Sequence, residues 1–206
     1  EADRCEYLEP ATICSLDLYL SFTGGPLLTR IAEQYGARRV AALHCSVDPE
    51  AYYPYAGKPR WDLGYLGTYS DDRQSALEKL LLDAARTSSL SFVVAGSLYP
   101  VDTEWPRNVE RIEHLPPAEH RRFYGRQRFT LNLTRSAMIR AGFSPSVRLF
   151  EAAACGTPII SDAWPGLEDF FEPSVEILIA HTAEDVLRYL TEPSEEQRTE
   201  IGRAHV

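Results

Sequence analysis

Apolar runs of four to seven residues alternate with stretches of helical periodicity along most of the chain. The predicted strands cover 16–22, 39–44, 63–66, 90–95, 109–114, 129–133, 158–161 and 176–180, and the predicted helices cover 26–35, 72–86, 117–124, 147–155 and 183–190. Because parallel strands must be joined by crossovers, this order predicts an α/β fold with a Rossmann-like, doubly wound parallel sheet. Sheets of this kind bind ligands at the carboxyl ends of their strands.

The stretch 46–54 interrupts this order, since it has neither period and contains Pro49 and Pro54. It predicts a connector between two lobes. Residues 1–56 are expected to hold this connector and a strand–helix–strand (βαβ) unit with its own sheet, and residues 57–206 to form the second lobe. The chain begins with Glu1 rather than Met and a helical pattern runs to its end without a stop signal, so both ends are expected to be cuts in a longer protein.

Composition narrows the class of protein. The 206 residues are 44% hydrophobic and 25% charged, enough to close a sizeable core, and no apolar stretch approaches the roughly 20 residues of a membrane span. Four widely separated cysteines, Cys5, Cys14, Cys45 and Cys155, favour buried thiols in a reducing cytoplasm over disulfides or a zinc site. The net charge of -9 argues against a nucleic-acid partner.

Positive charge is nevertheless concentrated in the stretch 120–150, which contains seven arginines and no acidic residue. Most of them are expected on solvated faces, and one or two at a small anionic ligand.

The candidate chemistry begins with a short helix predicted at 147–155. Ser146 is a good N-cap, and Gly156 is placed to end the helix in the left-handed conformation. The helix N-terminus would suit a diphosphate, with Arg148 in the first turn and Glu151 one turn later. Alternatively, Arg148 and Glu151 pair only with each other across the turn.

The run 144–161, continued by 162–171, resembles the donor-site signature of GT-B glycosyltransferases, and most closely that of the CgeB-type spore-maturation group. The similarity extends to the connector at 47–50, and 21–25 and 36–40 resemble the last βαβ unit of the N-terminal lobe in that fold. It implies that the C-terminal lobe holds a nucleotide sugar, that the missing N-terminal lobe binds the acceptor, and that neither a cofactor nor a metal is required.

The resemblance also assigns residues. Glu151 matches the second glutamate of the Glu-x7-Glu pattern and is expected to take the ribose hydroxyls, whereas Phe143 stands where the first glutamate would fall. The glycine turn at 67 and Arg73 are expected to meet the phosphates, although an ordinary strand-to-helix turn with an Asp cap explains them equally well. The expected donor-binding residues are Gly67, Thr68, Tyr69, Arg73, Gly96, Ser97, His114, Leu115, Phe143, Ser144, Pro145, Ser146, Arg148 and Glu151.

These features predict a transferase that moves a sugar from a nucleoside diphosphate donor to an acceptor that the sequence does not identify. The catalytic residues are not identified either, and residues 1–206 alone are expected to be inactive. Two alternatives remain open: a nucleotide-sugar epimerase of GT-B shape, and a nucleotide-binding module without catalysis. Sequence motifs typical of other enzymes, such as Asp-x-Asp, His-Glu-x-x-His and Gly-x-Ser-x-Gly, are missing.

Overall fold

A computed structural model describes residues 9–203 and places eight of their strands in two separate parallel sheets. The strands are β1 Tyr19–Ser21, β2 Val40–Ala42, β3 Trp61–Leu66, β4 Phe92–Ala95, β5 Val109–Ile112, β6 Gln127–Asn132, β7 Ile159–Ser161 and β8 Ile177–Ile179. Strands β1 and β2 pair with each other, and the other six follow the order β5-β4-β3-β6-β7-β8. The predicted α/β class and doubly wound parallel sheet are confirmed, with strand ends shifted by no more than three residues.

Helices precede, connect or follow these strands. They are α1 Pro10–Ser15, α2 Pro26–Tyr35, α3 Asp71–Leu77, α4 Asp83–Arg86, α5 Pro117–Gly125, α6 Ser136–Ala141, α7 Val147–Ala154, α8 Ala183–Thr191 and α9 Glu195–Arg203. A π-helical turn at Glu78–Leu82 joins α3 to α4, so the single helix predicted at 72–86 is continuous but not regular. Within residues 9–203, every helix is too short or too polar to cross a bilayer.

The contacts within the chain divide it into two compact units. The first unit combines the residues up to Cys45 with 134–146 and 164–170, and the second combines 46–133, 147–163 and the residues from Phe171 onward. The six-stranded sheet lies in the second unit and the two-stranded sheet in the first. The lobe boundary at 56/57 stays a prediction.

In the second unit, helices cover both faces of the sheet. On one face Leu63, Phe92 and Val94 join a cluster with buried leucines of the π-helical turn and of α8. On the other face Val93 packs against Phe123 of α5. Burial on both faces explains why β4 is a continuous apolar run in the sequence.

An ion-pair network ties the amino ends of β3, β4 and β6 to the last helices. Arg128 donates to Asp62 Oδ1 (3.1 Å), to the carbonyl of Leu190 (3.2 Å) and to Glu195 Oε1 (2.8 Å). Ser91 donates its backbone N–H and its hydroxyl to Asp62 Oδ2, both at 2.8 Å. This leaves the carboxyl ends of the strands as the edge at which a ligand is expected.

The cysteines differ from one another in burial. Cys155 is buried as predicted, and burial raises its pKa to about 12. Cys45 is half-buried. The prediction of a buried thiol is wrong for Cys14, which is exposed because it lies in α1, a helix whose buried residue is Ile13. Cys5 lies outside the described residues.

Candidate functional site

The loops that leave β3 and β4 lie in close contact at the carboxyl edge of the six-stranded sheet. Gly67 N–H donates to the carbonyl of Ala95 (2.8 Å), and Tyr69 N–H donates to that of Ser97 (2.9 Å). Gly96 has a φ of +148°, and a Cβ there would collide with the Gly67 carbonyl. Gly96 is therefore required for the approach of one loop to the other, and a role of Gly67 and Gly96 toward a phosphate stays a prediction.

Arg73 lies in the first turn of α3, and its guanidinium group reaches back to the end of β3. Its side chain is only 5% exposed, and Nη2 donates to the carbonyl of Thr68 (2.6 Å). The helix N-cap is Ser70, so the Asp cap considered for this turn is not formed. A buried guanidinium beside a strand end suits recognition of an anion.

Arg148 occupies the corresponding position one strand further along the sheet. It lies in the first turn of α7, and its Nη1 is 3.4 Å from both Asn132 Oδ1 and the Leu133 carbonyl, at the end of β6. Its guanidinium carbon lies 5.6 Å from the ring centroid of Tyr65. Because β3 and β6 are hydrogen-bonded neighbours, Arg73 and Arg148 reach the ends of adjacent strands.

The positive charges of these arginines act on the phenol of Tyr99. Its hydroxyl donates to the Gly67 carbonyl (3.0 Å). Burial raises the pKa of the Tyr99 phenol, and the charges of Arg111, Arg73 and Arg148 oppose that rise. The charges of all three guanidinium groups thus favour the ionised form of this phenol.

Arg111 is the member of this group that the sequence analysis missed. It lies in β5, donates to the carbonyls of Val94 and Gly96, and has its guanidinium carbon 4.4 Å from the ring centroids of both Tyr99 and Trp105. Burial lowers the pKa of this guanidinium. An arginine inside a predicted strand was the one signal in the sequence that pointed to it.

Glu151 is held by two tyrosine hydroxyls. Tyr52 donates to Oε1 (3.0 Å) and Tyr124 donates to Oε2 (2.7 Å). His120 Nδ1 lies 3.7 Å from Oε1 and 3.1 Å from the Tyr52 hydroxyl. These partners come from the connector and from α5, and the sequence analysis did not predict them.

The Glu151 carboxyl group stays ionised although it is only 8% exposed. Burial raises the pKa of this carboxyl group. His120, Tyr124 and Tyr52 together lower it by more than burial raises it, so the pKa lies below its usual range. The proposed pairing with Arg148 is replaced by these contacts, because Arg148 turns to the end of β6. The role of Glu151 toward a ribose stays a prediction.

The remaining predicted positions of the second unit line the same edge. His114 and Leu115 follow β5, where His114 is exposed and the carbonyl of Leu115 lies 3.3 Å from Nε2 of His120. The Tyr69 hydroxyl donates to Asp71 (2.6 Å).

Within residues 9–203, no cluster of three or more His, Cys, Asp or Glu side chains is arranged to hold a metal ion.

Phe143 belongs to the first unit, where it joins three loops. Its backbone has a φ of 48°, its N–H donates to the Pro165 carbonyl (2.7 Å), and its carbonyl accepts from Gly24 (2.8 Å). A Cβ at either Gly25 or Gly166 would collide with the phenyl ring. The ring therefore fits between two glycines, in a place that an acidic side chain could not fill with the same contacts.

The next three predicted residues also lie in the first unit. Ser144 is buried, and its hydroxyl is 2.9 Å from that of Thr23. Pro145 is buried and Ser146 is half-buried. The predicted donor-binding residues are thus divided between the two units, ten in the second and four in the first.

The fold is shared with solved glycosyltransferases of GT-B type. Sucrose-phosphate synthase from Thermosynechococcus elongatus matches with a TM-score of 0.69 and 14% identity, over 96% of this chain and 54% of that one. HepE from Anabaena, in complex with UDP-glucose, matches with a TM-score of 0.64 and 12% identity, over 91% and 57%. T4 phage BGT, in complex with its UDP-glucose substrate, gives 0.65 and 10%, over 91% and 58%. The chain spans about half the length of these proteins.

No curated protein matches the chain by sequence. A family model does, and it covers residues 73–206, which begin within α3 and include the whole of β4 to β8 and the signature helix α7. This match extends over well more than half of the chain. The chain belongs to the glycosyl transferase-like family.

Proposed function

We propose that the chain is the donor-binding part of a CgeB-type GT-B glycosyltransferase that acts in the cytoplasm. It would transfer a sugar from a nucleoside diphosphate to an acceptor bound by the remainder of the N-terminal lobe, without a cofactor or a metal. Membership of the family supports transfer of a sugar. HepE and T4 phage BGT, which share the fold, are in complex with UDP-glucose, and this supports a nucleotide sugar as the donor.

The observation that carries the proposal is the convergence of Arg73 and Arg148 on the ends of adjacent strands. When a glycosidic bond to a diphosphate breaks, negative charge grows on the leaving phosphate. Fixed positive groups in a partly desolvated site stabilise that charge without further reorganisation. Arginine suits this task because its planar fork binds two phosphate oxygens at once.

Glu151 supports the same proposal, because its carboxylate suits the ribose of the nucleotide rather than the diphosphate. An ionised carboxylate accepts several hydrogen bonds, and the two hydroxyls of a ribose are neighbouring donors. Glu151 lies one turn further along α7 than Arg148. This spacing matches a nucleotide, in which the ribose is the next group after the phosphates. Arg148 is therefore assigned to the diphosphate and Glu151 to the ribose.

Calorimetric titration with UDP, GDP, ADP and UDP-glucose tests this assignment. At least one diphosphate should bind, and Arg73→Gln and Arg148→Gln should each weaken binding by about 1.5–3 kcal/mol, the worth of a hydrogen bond to a charged group. Arg122→Gln is the matched control, because that exposed arginine pairs with Glu119 on the surface of α5. Unchanged affinity in both site variants, with melting curves showing folded protein, would contradict the proposal.

A nucleotide-binding module without catalysis is the second candidate. Phe143 favours it, because a phenyl ring wedged between two glycines replaces the acidic residue of the family pattern. Restoring the remainder of the N-terminal lobe separates the candidates, since a transferase would then consume UDP-glucose in the presence of an acceptor. Release of free sugar without transfer would instead indicate a nucleotide-sugar epimerase.

A further inference from the structure

The Tyr52 hydroxyl lies over the carboxylate that the proposed function assigns to the ribose. It is 3.0 Å from Glu151 Oε1, to which it donates, and 3.1 Å from His120 Nδ1. Glu151 has only 8% of its surface exposed. Tyr52 therefore takes up one acceptor position of Oε1 in a carboxylate that leaves little exposed surface for a ribose diol.

The two tyrosines that hold Glu151 differ in their freedom to move. Tyr124 is fully buried in α5, and displacing it would open the core. Tyr52 is half-buried and lies in a turn of the connector, where Ala51 N–H (3.0 Å) and Tyr52 N–H (2.9 Å) donate to the Asp48 carbonyl. Tyr52 is therefore the partner that a ligand can replace at low cost.

The connector is anchored immediately after Tyr52. Arg121 donates to the carbonyls of Tyr53 (2.9 Å) and Pro54 (3.1 Å), and its guanidinium carbon lies 3.4 Å from the ring centroid of Tyr53. A movement of Tyr52 is thus confined to the turn at 48–52. The rest of the connector stays attached to α5.

We propose that Tyr52 competes with the ribose diol for Glu151. In the ligand-free chain its hydroxyl occupies the place of the diol on Oε1, and a bound ribonucleotide displaces it while Tyr124 continues to hold Oε2. This inference rests on the proposed function, in which Glu151 binds the ribose. A nucleotide without ribose hydroxyls cannot replace the bond to Oε1 and leaves Tyr52 in position.

The competition makes a directional prediction for Tyr52→Phe. Removing the hydroxyl raises the population of chains whose Oε1 is available, and apparent affinity rises with that population. A hydrogen bond to a charged group shifts an equilibrium by about ten-fold or more, so ribonucleotide binding should tighten by about ten-fold. Binding of the 2′,3′-dideoxy nucleotide should not change. A residue that merely supported the fold of the site would give the opposite sign.

The experiment titrates UDP, GDP and ADP and their 2′,3′-dideoxy counterparts into the wild-type chain, Tyr52→Phe and Tyr53→Phe. Tyr53→Phe is the matched control, since that neighbouring tyrosine contacts Arg121 through its ring. Equal or weaker ribonucleotide binding by Tyr52→Phe overturns the inference and leaves the proposed function intact. An equal gain for both nucleotides also overturns it, because Tyr52 would then be a steric cover. Absence of binding by all three proteins overturns the proposed function itself.

A second measurement needs no variant. Hydrogen exchange of the Ala51 and Tyr52 amides in the wild-type chain should speed up when the ribonucleotide binds, because the turn at 48–52 opens. It should stay unchanged with the dideoxy nucleotide. Slower exchange with the ribonucleotide would show that Tyr52 closes over the ligand and would overturn the competition.

Discussion

At Glu151, burial and hydrogen bonding act in opposite directions on one carboxyl group. Its ionised state depends on the tyrosines and the histidine around it, as the direction of its pKa shows. Glu151→Gln keeps the size of the side chain and removes its charge. Nucleotide binding should weaken by about 1.5–3 kcal/mol, because a hydrogen bond to a charged acceptor is lost.

The measurement is a calorimetric titration of the nucleoside diphosphate, with melting curves alongside. Glu119→Gln provides the control, since Glu119 is exposed on α5 and pairs with Arg122. An affinity that does not change in Glu151→Gln would leave Glu151 a structural residue, and the ribose assignment would have to be abandoned.

The residues around Glu151 show what a sequence can and cannot reveal at this scale. Glu151 and Arg148 were identifiable because they lie close together in one short helix with a recognisable signature. Tyr52, His120 and Tyr124 come from two other stretches of the chain, and only the packing of the connector on α5 and α7 brings them together. No spacing in the sequence records that contact.

At the scale of elements, the Asp62 carboxylate joins β3 to β4, β6 and α9 through Ser91 and Arg128. Burial raises the pKa of Asp62, but hydrogen bonds from Ser91 and Arg128 lower it below its usual range. The folded state therefore binds the proton less tightly than the unfolded state. The resulting stability is present above the ordinary carboxyl pKa of about 3.9 and is lost as the pH falls through the lower folded value.

Asp62→Asn should therefore reduce the free energy of unfolding by about 1.5–3 kcal/mol at pH 7, with a difference from wild type that shrinks below about pH 4. Urea denaturation at pH 7, 5 and 3 measures it. Asp17→Asn is the control, because the Asp17 side chain is fully exposed. A difference that stayed constant with pH would show that the charge of Asp62 does not stabilise these elements.

The predictability of an element followed from its length and burial. Strands β4 and β7 were predicted because all their residues are buried and they stand out as apolar runs. Helices α1 and α6 were not predicted, since six residues are too few to establish a helical period. The π-helical turn was missed as well, because three consecutive buried leucines at 80–82 are compatible with several helical geometries.

At the scale of the whole molecule, the chain is expected to bind its nucleotide but to turn over very little nucleotide sugar. It spans about half the length of the solved structures that share its fold. In enzymes of GT-B type, which the chain resembles, the reaction takes place between two lobes, and residues 1–206 are proposed to supply the donor lobe with only a βαβ unit of the other. Incubation of residues 1–206 with UDP-glucose, followed by quantification of UDP and glucose, tests this expectation. Rapid formation of UDP would show that the reacting groups lie within these residues.

The two separate sheets were predictable, because the connector at 46–54 interrupts both periodicities between them. The return of 134–146 and 164–170 to the first unit was not predicted. That return depends on tertiary contacts such as the wedge of Phe143 between Gly25 and Gly166. A phenylalanine beside a glycine in the sequence gives no indication of a partner in a distant loop.

This division of the first unit among three segments has a consequence for the order in which a newly made chain can fold. Thr23 and Ser144 are 121 positions apart, and the loop around Gly166 is synthesised later still. Because synthesis proceeds at about 5–20 residues per second, on the order of ten seconds would pass between the synthesis of the first βαβ unit and that of its last loop. During that time Leu20, Phe22 and Leu43, which are exposed even when all three segments are in place, would be accessible to chaperones and to other nascent chains.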